Sequence, residues 1–89
     1  MNLKPLTSSQ IRAARSLIRW SAEDLARHSA LSVATIRRAE LAEAETSMTA
    51  ANDLAVRRAL EAGVEFINEN GGGPGVRLRK RPQAKPSKR

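Results

Sequence analysis

Four segments of this chain begin with a hydroxyl side chain and continue with apolar residues at helical spacing. The hydroxyls belong to Thr7 or Ser8, then to Ser21, Ser32 and Thr49. Such side chains accept hydrogen bonds from the unpaired amide groups of a first helical turn. Because the four starts lie close together, the sequence predicts short helices joined by short connections.

The expected bounds follow from these starts and from residues that end helices. The first helix is predicted over Ser8 to Arg19, and the second ends near Ser29. The third covers VATIRRAELAEA after its cap, and the fourth ends at Gly63, since glycine is common just past a helix. Aromatic residues are only 2% of the chain, so the core of this fold must consist mainly of Ala, Leu, Ile and Val.

Beyond residue 63 the pattern changes from helical to alternating. The runs VEFI and VRLR flank the loop residues NENGGGPG, which predicts a β-hairpin with a long connection. The second strand should place Val76 and Leu78 on one face and Arg77 and Arg79 on the other. The predicted fold class is mainly α, with four helices over residues 1–62, a short C-terminal β-hairpin over residues 63–79 and a disordered basic tail over residues 80–89.

The net charge of +7 is distributed unevenly. Residues 1–38 carry seven Lys and Arg against two Asp and Glu, a net charge of +5, whereas residues 39–76 carry −5. The last thirteen residues add +7. Basic segments around an acidic middle are typical of proteins that bind a polyanion such as nucleic acid, although a solvated basic surface with a solubilising tail gives the same charge.

The segment from Ser21 to Glu40 has the spacing of two helices joined by a turn of three or four residues. Ala26 is small where the two helices would cross. Leu25, Leu31 and Ile36 supply the apolar contacts that would fix the angle between them. This combination predicts a helix-turn-helix.

In detail the segment resembles the Cro/CI-like (XRE-type) helix-turn-helix family of bacterial and phage regulators. The resemblance covers about residues 8 to 62 and implies a λ-repressor-like helical domain that binds DNA. Residues 63–79 look like an extension found on some small bacterial members. The shared features are, in chain order, Leu25-Ala26, Leu31-Ser32, Thr35-Ile36 and Glu40.

The resemblance also implies an ion pair between Arg15 of the first helix and Glu40 at the end of the third. Two independent surface charges are the alternative. The chain departs from the family pattern at Ala22, where a glutamine that touches DNA is common, and at Ala30, where glycine is common in the turn.

In such proteins the third helix enters the major groove. Arg38 is placed to bond guanine O6 and N7 with its forked guanidinium group. Arg37 could contact a base or a phosphate, and Val33 is alternatively a buried core residue. The predicted base-reading residues are Ser32, Val33, Ala34, Arg37 and Arg38.

Another set is predicted to contact the DNA backbone. Phosphate contacts add affinity without sequence information. For the three arginines of this set, a plain solvated charge is an equal alternative. The predicted phosphate-contacting residues are Arg12, Arg19, Ser21, Arg27 and Thr35, the last of which could also reach a base.

A single module of this kind reads about four or five base pairs, too few to select a site, so we expect a homodimer on a near-palindromic duplex. The acidic half of the chain would repel DNA and is the expected interface. An isolated hairpin is also marginal in water without further packing. The predicted dimerisation residues are Val56, Leu60, Val64, Phe66, Ile67, Val76 and Leu78.

Several classes of function find no support in the residues. The chain has no cysteine, shows no catalytic set, and its NGGGPG run lacks the Lys-Ser/Thr ending of a phosphate-binding loop. His28 has no partner at metal-ligand spacing and is interpreted as a surface residue, whereas Trp20 is interpreted as a core filler rather than a stacking platform. We expect no enzyme, cofactor, metal or membrane segment, and a cytoplasmic location.

The predicted function is that of a transcriptional regulator with double-stranded DNA and a second copy of the chain as partners. An alternative is an antitoxin-type or other protein-interaction module, in which the hairpin and tail bind a regulatory partner protein and DNA binding serves autoregulation. RNA binding is a third possibility, against which the shortage of aromatic residues for stacking bases stands.

Overall fold

The computed structural model describes residues 4–43 and 46–80, and these residues form four helices and one two-stranded sheet. The fold is mainly helical with a C-terminal β-hairpin, which confirms the predicted class at that level. The elements are, in chain order, α1 (Ser8–Leu17), α2 (Ala22–Ser29), α3 (Val33–Leu41), α4 (Ala50–Leu60), β1 (Val64–Ile67) and β2 (Gly75–Leu78).

A hydroxyl side chain caps the start of each of these helices. Thr7 Oγ1 accepts from the backbone N–H of Gln10 at 3.1 Å, and Gln10 Oε1 accepts in turn from the backbone N–H of Thr7 at 2.9 Å. Ser21 begins α2 with the same reciprocal arrangement, while Ser32 and Thr49 cap α3 and α4. The amide groups that a helix start leaves unpaired thus find partners at the predicted positions.

Three helices end earlier than the pattern of apolar residues predicts. The third was predicted over VATIRRAELAEA, but α3 stops at Leu41 because Ala42 takes an extended backbone, with ψ of 152°. α1 stops at Leu17 because Arg19 takes a left-handed backbone, with φ of 60°, which an α-helix does not contain. α4 stops at Leu60, short of Gly63. Glycine at position 63 is needed for packing instead, since a Cβ there would lie 2.6 Å from Cγ2 of Ile18.

Aliphatic side chains from the four helices and from β1 form one core. Trp20 is only half-buried and packs at its edge, where the indole ring stacks on His28 with centroids 4.2 Å apart and planes 11° apart. The large filler expected from the sequence is therefore a boundary residue. The larger fully buried side chains are Leu6, Ile11, Leu25, Ile36, Val56, Leu60 and Val64.

The hairpin is packed onto the helices. Its strands pair antiparallel with Phe66 opposite Val76, and β2 begins one residue earlier than predicted, at Gly75. Gln10 of α1 donates from Nε2 to the carbonyl oxygen of Gly75 at 2.9 Å. Because Val64 is also buried among helical side chains, the helices and the hairpin share one core.

Candidate nucleic-acid interface

A tight turn of Ala30, Leu31 and Ser32 joins α2 to α3. Ala30 has a left-handed backbone with φ of 61° and ψ of 32°, which costs a non-glycine residue about 1 to 2 kcal/mol. The backbone N–H of Leu31 donates to the carbonyl oxygen of Ala26 at 3.0 Å and closes the end of α2. Ala30 therefore adopts the turn conformation that glycine would accept more easily, and α3 packs directly against α2.

One face of α3 lies away from the core. Ile36 and Ala39 are buried on the inner face, whereas Val33 is half-buried and packs against the core from the boundary. The interpretation of Val33 as a core residue is thus met in part, and its role as a base-reading residue stays a prediction. The exposed residues of the outer face, with the capping residue before it, are Ser32, Ala34, Arg37, Arg38 and Leu41, the last of which is 81% exposed.

Arg37 forms an ion pair that links α3 to α2. Its Nη2 lies 2.6 Å from Oε2 of Glu23, and both side chains are more than half exposed. A hydrogen bond from the backbone at Glu23 and the nearby charge of Arg37 lower the pKa of the Glu23 carboxyl below its ordinary value. A base or phosphate that binds Arg37 must therefore compete with this carboxylate.

Arg38 forms no side-chain hydrogen bond or ion pair within residues 4–43 and 46–80. It lines an open groove of about 500 Å³ together with Thr35, Thr49 and Asn52. Asn52 lies in the first turn of α4, and its side chain adds an amide to this groove. The sequence analysis missed Thr49 and Asn52 as site residues, although a polar first turn directly after the third helix was a usable signal.

Two hydroxyls at the start of α3 bond to each other. The Oγ atom of Ser32 lies 2.9 Å from Oγ1 of Thr35 and also accepts from the backbone N–H of Thr35 at 3.1 Å. Thr35 is half-buried, while Ser32 is exposed. The cap that starts the helix thus also fixes the direction of the hydroxyl group that was predicted to meet DNA.

Arg15 and Glu40 form a two-pronged ion pair between α1 and α3. Arg15 donates from Nε and Nη2 to the two carboxylate oxygens of Glu40 at 2.7 and 2.8 Å. Its Nη1 donates to the carbonyl oxygen of Trp20 at 2.9 Å. The hydrogen bond to Glu40 raises the pKa of Arg15 above its ordinary value. The pair thus fixes the end of α3 against α1 and the connection to α2.

Arg12 has a structural contact that the sequence did not predict. Its Nη1 donates to the carbonyl oxygen of Glu40 near the end of α3, and its Nη2 donates to Ser9 Oγ at 3.2 Å. A cation at that position also complements the negative end of the helix dipole. A phosphate contact by Arg12 would have to share a guanidinium group that already caps α3.

Of the other predicted phosphate contacts, Arg19 and Ser21 precede α2 and Arg27 lies in its last turn. Arg27 pairs with Asp24 at 2.8 Å, and the backbone N–H of Ser21, followed by Arg27, lowers the pKa of the Asp24 carboxyl. Ser21 is exposed at the helix start. Arg19 is exposed and has no ion pair in the described part of the chain. Among the predicted phosphate-contacting arginines, it therefore has the fewest internal contacts to give up on binding.

The residues predicted for dimerisation fall into three groups. Val56, Leu60 and Val64 have no exposed surface, because they fill the core of a single chain, and in this fold they offer nothing to a second copy. Phe66, Ile67 and Val76 are half-buried. Leu78 is 56% exposed and remains available.

The basic tail predicted over residues 80–89 lies outside the described residues except for Lys80, which is exposed. In the described ranges no helix is long and apolar enough to cross a bilayer, and no three His, Asp or Glu side chains come together as metal ligands. No family model and no curated protein sequence matches this chain.

Proposed function

We propose that the protein is a transcriptional regulator that binds double-stranded DNA with α3 in the major groove. In this proposal α2, the turn and α3 form a λ-repressor-like helix-turn-helix. Two copies of the chain bind the two halves of a near-palindromic operator, because one recognition helix contacts too few base pairs to select a site.

The outer face of α3 carries the proposal. It presents hydroxyl, methyl and guanidinium groups to solvent, and its Arg38 has no partner within the described residues. These groups match the acceptors and thymine methyl groups of the major groove. An arginine already paired with a carboxylate, as Arg37 is with Glu23, contributes less to such a surface.

The charge and the anchoring of α3 agree with this use. Residues 1–38, which contain the first two helices and most of α3, carry a net charge of +5. The Arg15–Glu40 pair holds the end of α3 in a fixed orientation. A rigid basic helix is what sequence-specific contacts require, since base recognition depends on hydrogen-bond geometry.

A homodimer would use the hairpin, but with a smaller set of residues than the sequence indicated. A two-stranded sheet leaves a row of backbone groups along each outer edge, which a second copy can pair. Ile67 and Val76 are half-buried, and Leu78 is more exposed. A truncation at residue 63 would remove Val64 from the core, so point substitutions are the better test of this interface.

The test is selection of bound duplexes from a random pool at physiological salt, with three variants in parallel. Wild type should select a two-fold consensus. Ala34→Glu places a negative charge on the outer face of α3 and should abolish selection, whereas Ala51→Glu on exposed α4 should not. Ile67→Glu should keep the half-site consensus and lose the two-fold arrangement, with sedimentation as a monomer. Equal behaviour of Ala34→Glu and Ala51→Glu would contradict the proposal.

A groove beside the hairpin favours a second candidate, a module that binds a partner protein. Leu17 and Leu78 are exposed in this groove, and Arg19, Arg79 and Lys80 also line it. An apolar floor with a basic rim is complementary to an acidic amphipathic segment. Leu17→Ser should then leave DNA selection unchanged and weaken the complex with a candidate partner encoded beside this gene. An unchanged complex would remove this candidate.

A further inference from the structure

Leu41 is the last residue of α3, and its side chain lies almost wholly in water. It is 81% exposed, the largest exposed fraction of any large hydrophobic residue within residues 4–43 and 46–80. A single surface leucine is ordinary, but this one belongs to the face of α3 that the proposed function turns toward DNA. Its place on that face and its rigid support distinguish it from an isolated apolar residue.

Leu41 lies on the centre line of the outer face. Successive residues of an α-helix turn by about 100°, so a residue seven positions later returns to within about 20° of the same direction. Leu41 is therefore in line with Ala34, while Arg37 and Arg38 flank that line on its two sides. The axial distance from Ala34 to Leu41 is about 10 Å, or about three base-pair steps of 3.4 Å. A helix lying along the major groove would thus present both side chains to bases.

The residue next to Leu41 anchors the end of α3. Glu40 is 7% exposed. Its carboxylate oxygens accept from Nε and Nη2 of Arg15 at 2.7 and 2.8 Å, and its carbonyl oxygen accepts from Nη1 of Arg12. Because both the side chain and the backbone of Glu40 are held, the neighbouring Leu41 projects from a fixed point. The fold therefore supports an apolar group that it does not itself bury.

The charges beside Leu41 favour nucleic acid as the surface that covers it. Arg37 and Arg38 are both exposed, and Arg38 has no partner among the described residues. A protein surface that buried Leu41 would also have to remove these guanidinium groups from water and supply carboxylates for them. DNA supplies phosphates and base acceptors on either side of its groove. The open groove next to Leu41 continues this polar surface through Thr49 and Asn52.

We propose that Leu41 packs against the C5-methyl group of a thymine and selects that base at one position of each half-site. This methyl group is the apolar group that base pairs present in the major groove, where the other groups are hydrogen-bond donors and acceptors. Contact with it would remove apolar surface of both partners from water. 5-Methylcytosine carries the same methyl group on a different base pair. The inference rests on the proposed function and adds a base that Arg38 does not read.

The test measures the Kd of the full chain for its selected operator by fluorescence anisotropy. Each thymine of a half-site is replaced in turn by uracil, which lacks only the C5-methyl group. At one position this change should weaken wild-type binding about fourfold, the effect of one buried methyl group. Leu41→Ala should bind the thymine and uracil duplexes equally. Tighter binding of 5-methylcytosine than of thymine at that position would make methylated DNA the ligand and overturn the assignment to thymine.

Leu54→Ala, which changes an exposed leucine of α4, is the matched control and should keep the full effect of uracil. The circular dichroism and sedimentation of Leu41→Ala should match wild type, because the side chain is exposed. A uracil effect that persists in Leu41→Ala, or that occurs at no position, would overturn the inference and leave DNA binding standing. Loss of the dimer in Leu41→Ala would assign the residue to a protein contact instead. If wild type selects no duplex at all, the proposed function fails as well.

Discussion

The junction between α1 and α3 and the junction between α4 and the hairpin each contain an arginine that is largely removed from water. At the first, Arg15 has both oxygens of Glu40 at 2.7 and 2.8 Å and a backbone carbonyl at 2.9 Å. At the second, Arg57 has one short backbone contact, a carboxylate oxygen at 3.7 Å and an Nε without a partner in the described residues. The two sites differ in how fully the fold uses the donors of the guanidinium group.

This difference separates an arginine whose three nitrogens are all hydrogen-bonded from one that the fold leaves partly without partners. When each guanidinium nitrogen has an internal partner, as at Arg15, removing the arginine or its carboxylate leaves a charge or acceptor unpaired, and the cost appears as lost stability. When a buried donor stays unpaired, as Arg57 Nε does among the described residues, its desolvation is not compensated and the arginine contributes less to stability. Arg38 extends the comparison to the surface, because it is exposed and forms no pair among the described residues.

The largest loss of stability is expected at the Arg15–Glu40 ion pair. Glu40→Ala leaves the guanidinium group of Arg15 without its carboxylate and should lower the free energy of unfolding by about 3 kcal/mol. Urea unfolding followed by far-ultraviolet circular dichroism measures it. In a double-mutant cycle, Arg15→Ala with Glu40→Ala should cost clearly less than the two single losses added together. Additive losses would show that the two residues are energetically independent.

Loss of the exposed Arg38 side chain should weaken DNA binding and leave stability unchanged. Arg38→Ala should weaken binding to the selected operator by about 1 to 3 kcal/mol and relax the preference at one base pair of each half-site. Its urea midpoint should match that of wild type. Arg58→Ala, an exposed arginine on α4, is the control for loss of one positive charge. Equal weakening on all sequences would reduce Arg38 to a phosphate contact.

Loss of the charge of Arg57 should lower the free energy of unfolding less than loss of the Glu40 carboxylate does. Arg57→Met keeps most of the side-chain volume and should cost about 2 kcal/mol, because the carbonyl oxygen of Lys4 and the carboxylate of Asp53 lose their partner but Asp53 keeps its hydrogen bond from Leu6. Adding Asp53→Asn should recover part of that cost, since the amide oxygen can still accept from Leu6 while the unpaired charge is removed. A loss as large as that at Glu40 would place Arg57 among the structural arginines.

The sequence predicted the local features well because they depend on neighbouring residues. Each helix start needs only a hydroxyl and the amide groups beside it, so Thr7, Ser21, Ser32 and Thr49 could be identified without tertiary contacts. The strand alternation likewise located the hairpin to within a residue. The Arg15–Glu40 contact joins residues 25 positions apart and was expected from the motif resemblance alone, not from any local pattern.

Features that depend on packing between distant segments could not be predicted in this way. Apolar composition does not distinguish a core from an interface, so Val56, Leu60 and Val64 were assigned to a second copy although they fill one chain's own core. The partners of Arg12 and Arg57 lie far along the chain, at the end of α3 and at Lys4. No local pattern marks either arginine as different from an ordinary surface charge.

The smallest effects should come from the ion pairs exposed on α2. The pKa values of Glu23 and Asp24 are lowered, mainly by backbone hydrogen bonds, with Arg37 and Arg27 adding to the shifts. A lowered folded-state pKa stabilises the protein above the ordinary carboxyl pKa, and this stability is lost as pH falls through the folded value. Unfolding should therefore become slightly easier between about pH 5 and pH 3.

Two variants separate the effect of Arg37 on the pKa of Glu23 from the effect of Arg27 on the pKa of Asp24. NMR titration of the side-chain carboxyl signals should show that Arg37→Gln raises the pKa of Glu23 and leaves that of Asp24 unchanged, because Arg37 contacts Glu23 alone. Arg27→Gln should raise the pKa of Asp24 and leave that of Glu23 unchanged. Both shifts should be small, since exposed pairs are screened by water and the backbone hydrogen bonds remain. A large shift in both carboxyls from one substitution would mean that α2 itself had rearranged, and that these surface arginines belong to the fold as Arg15 does.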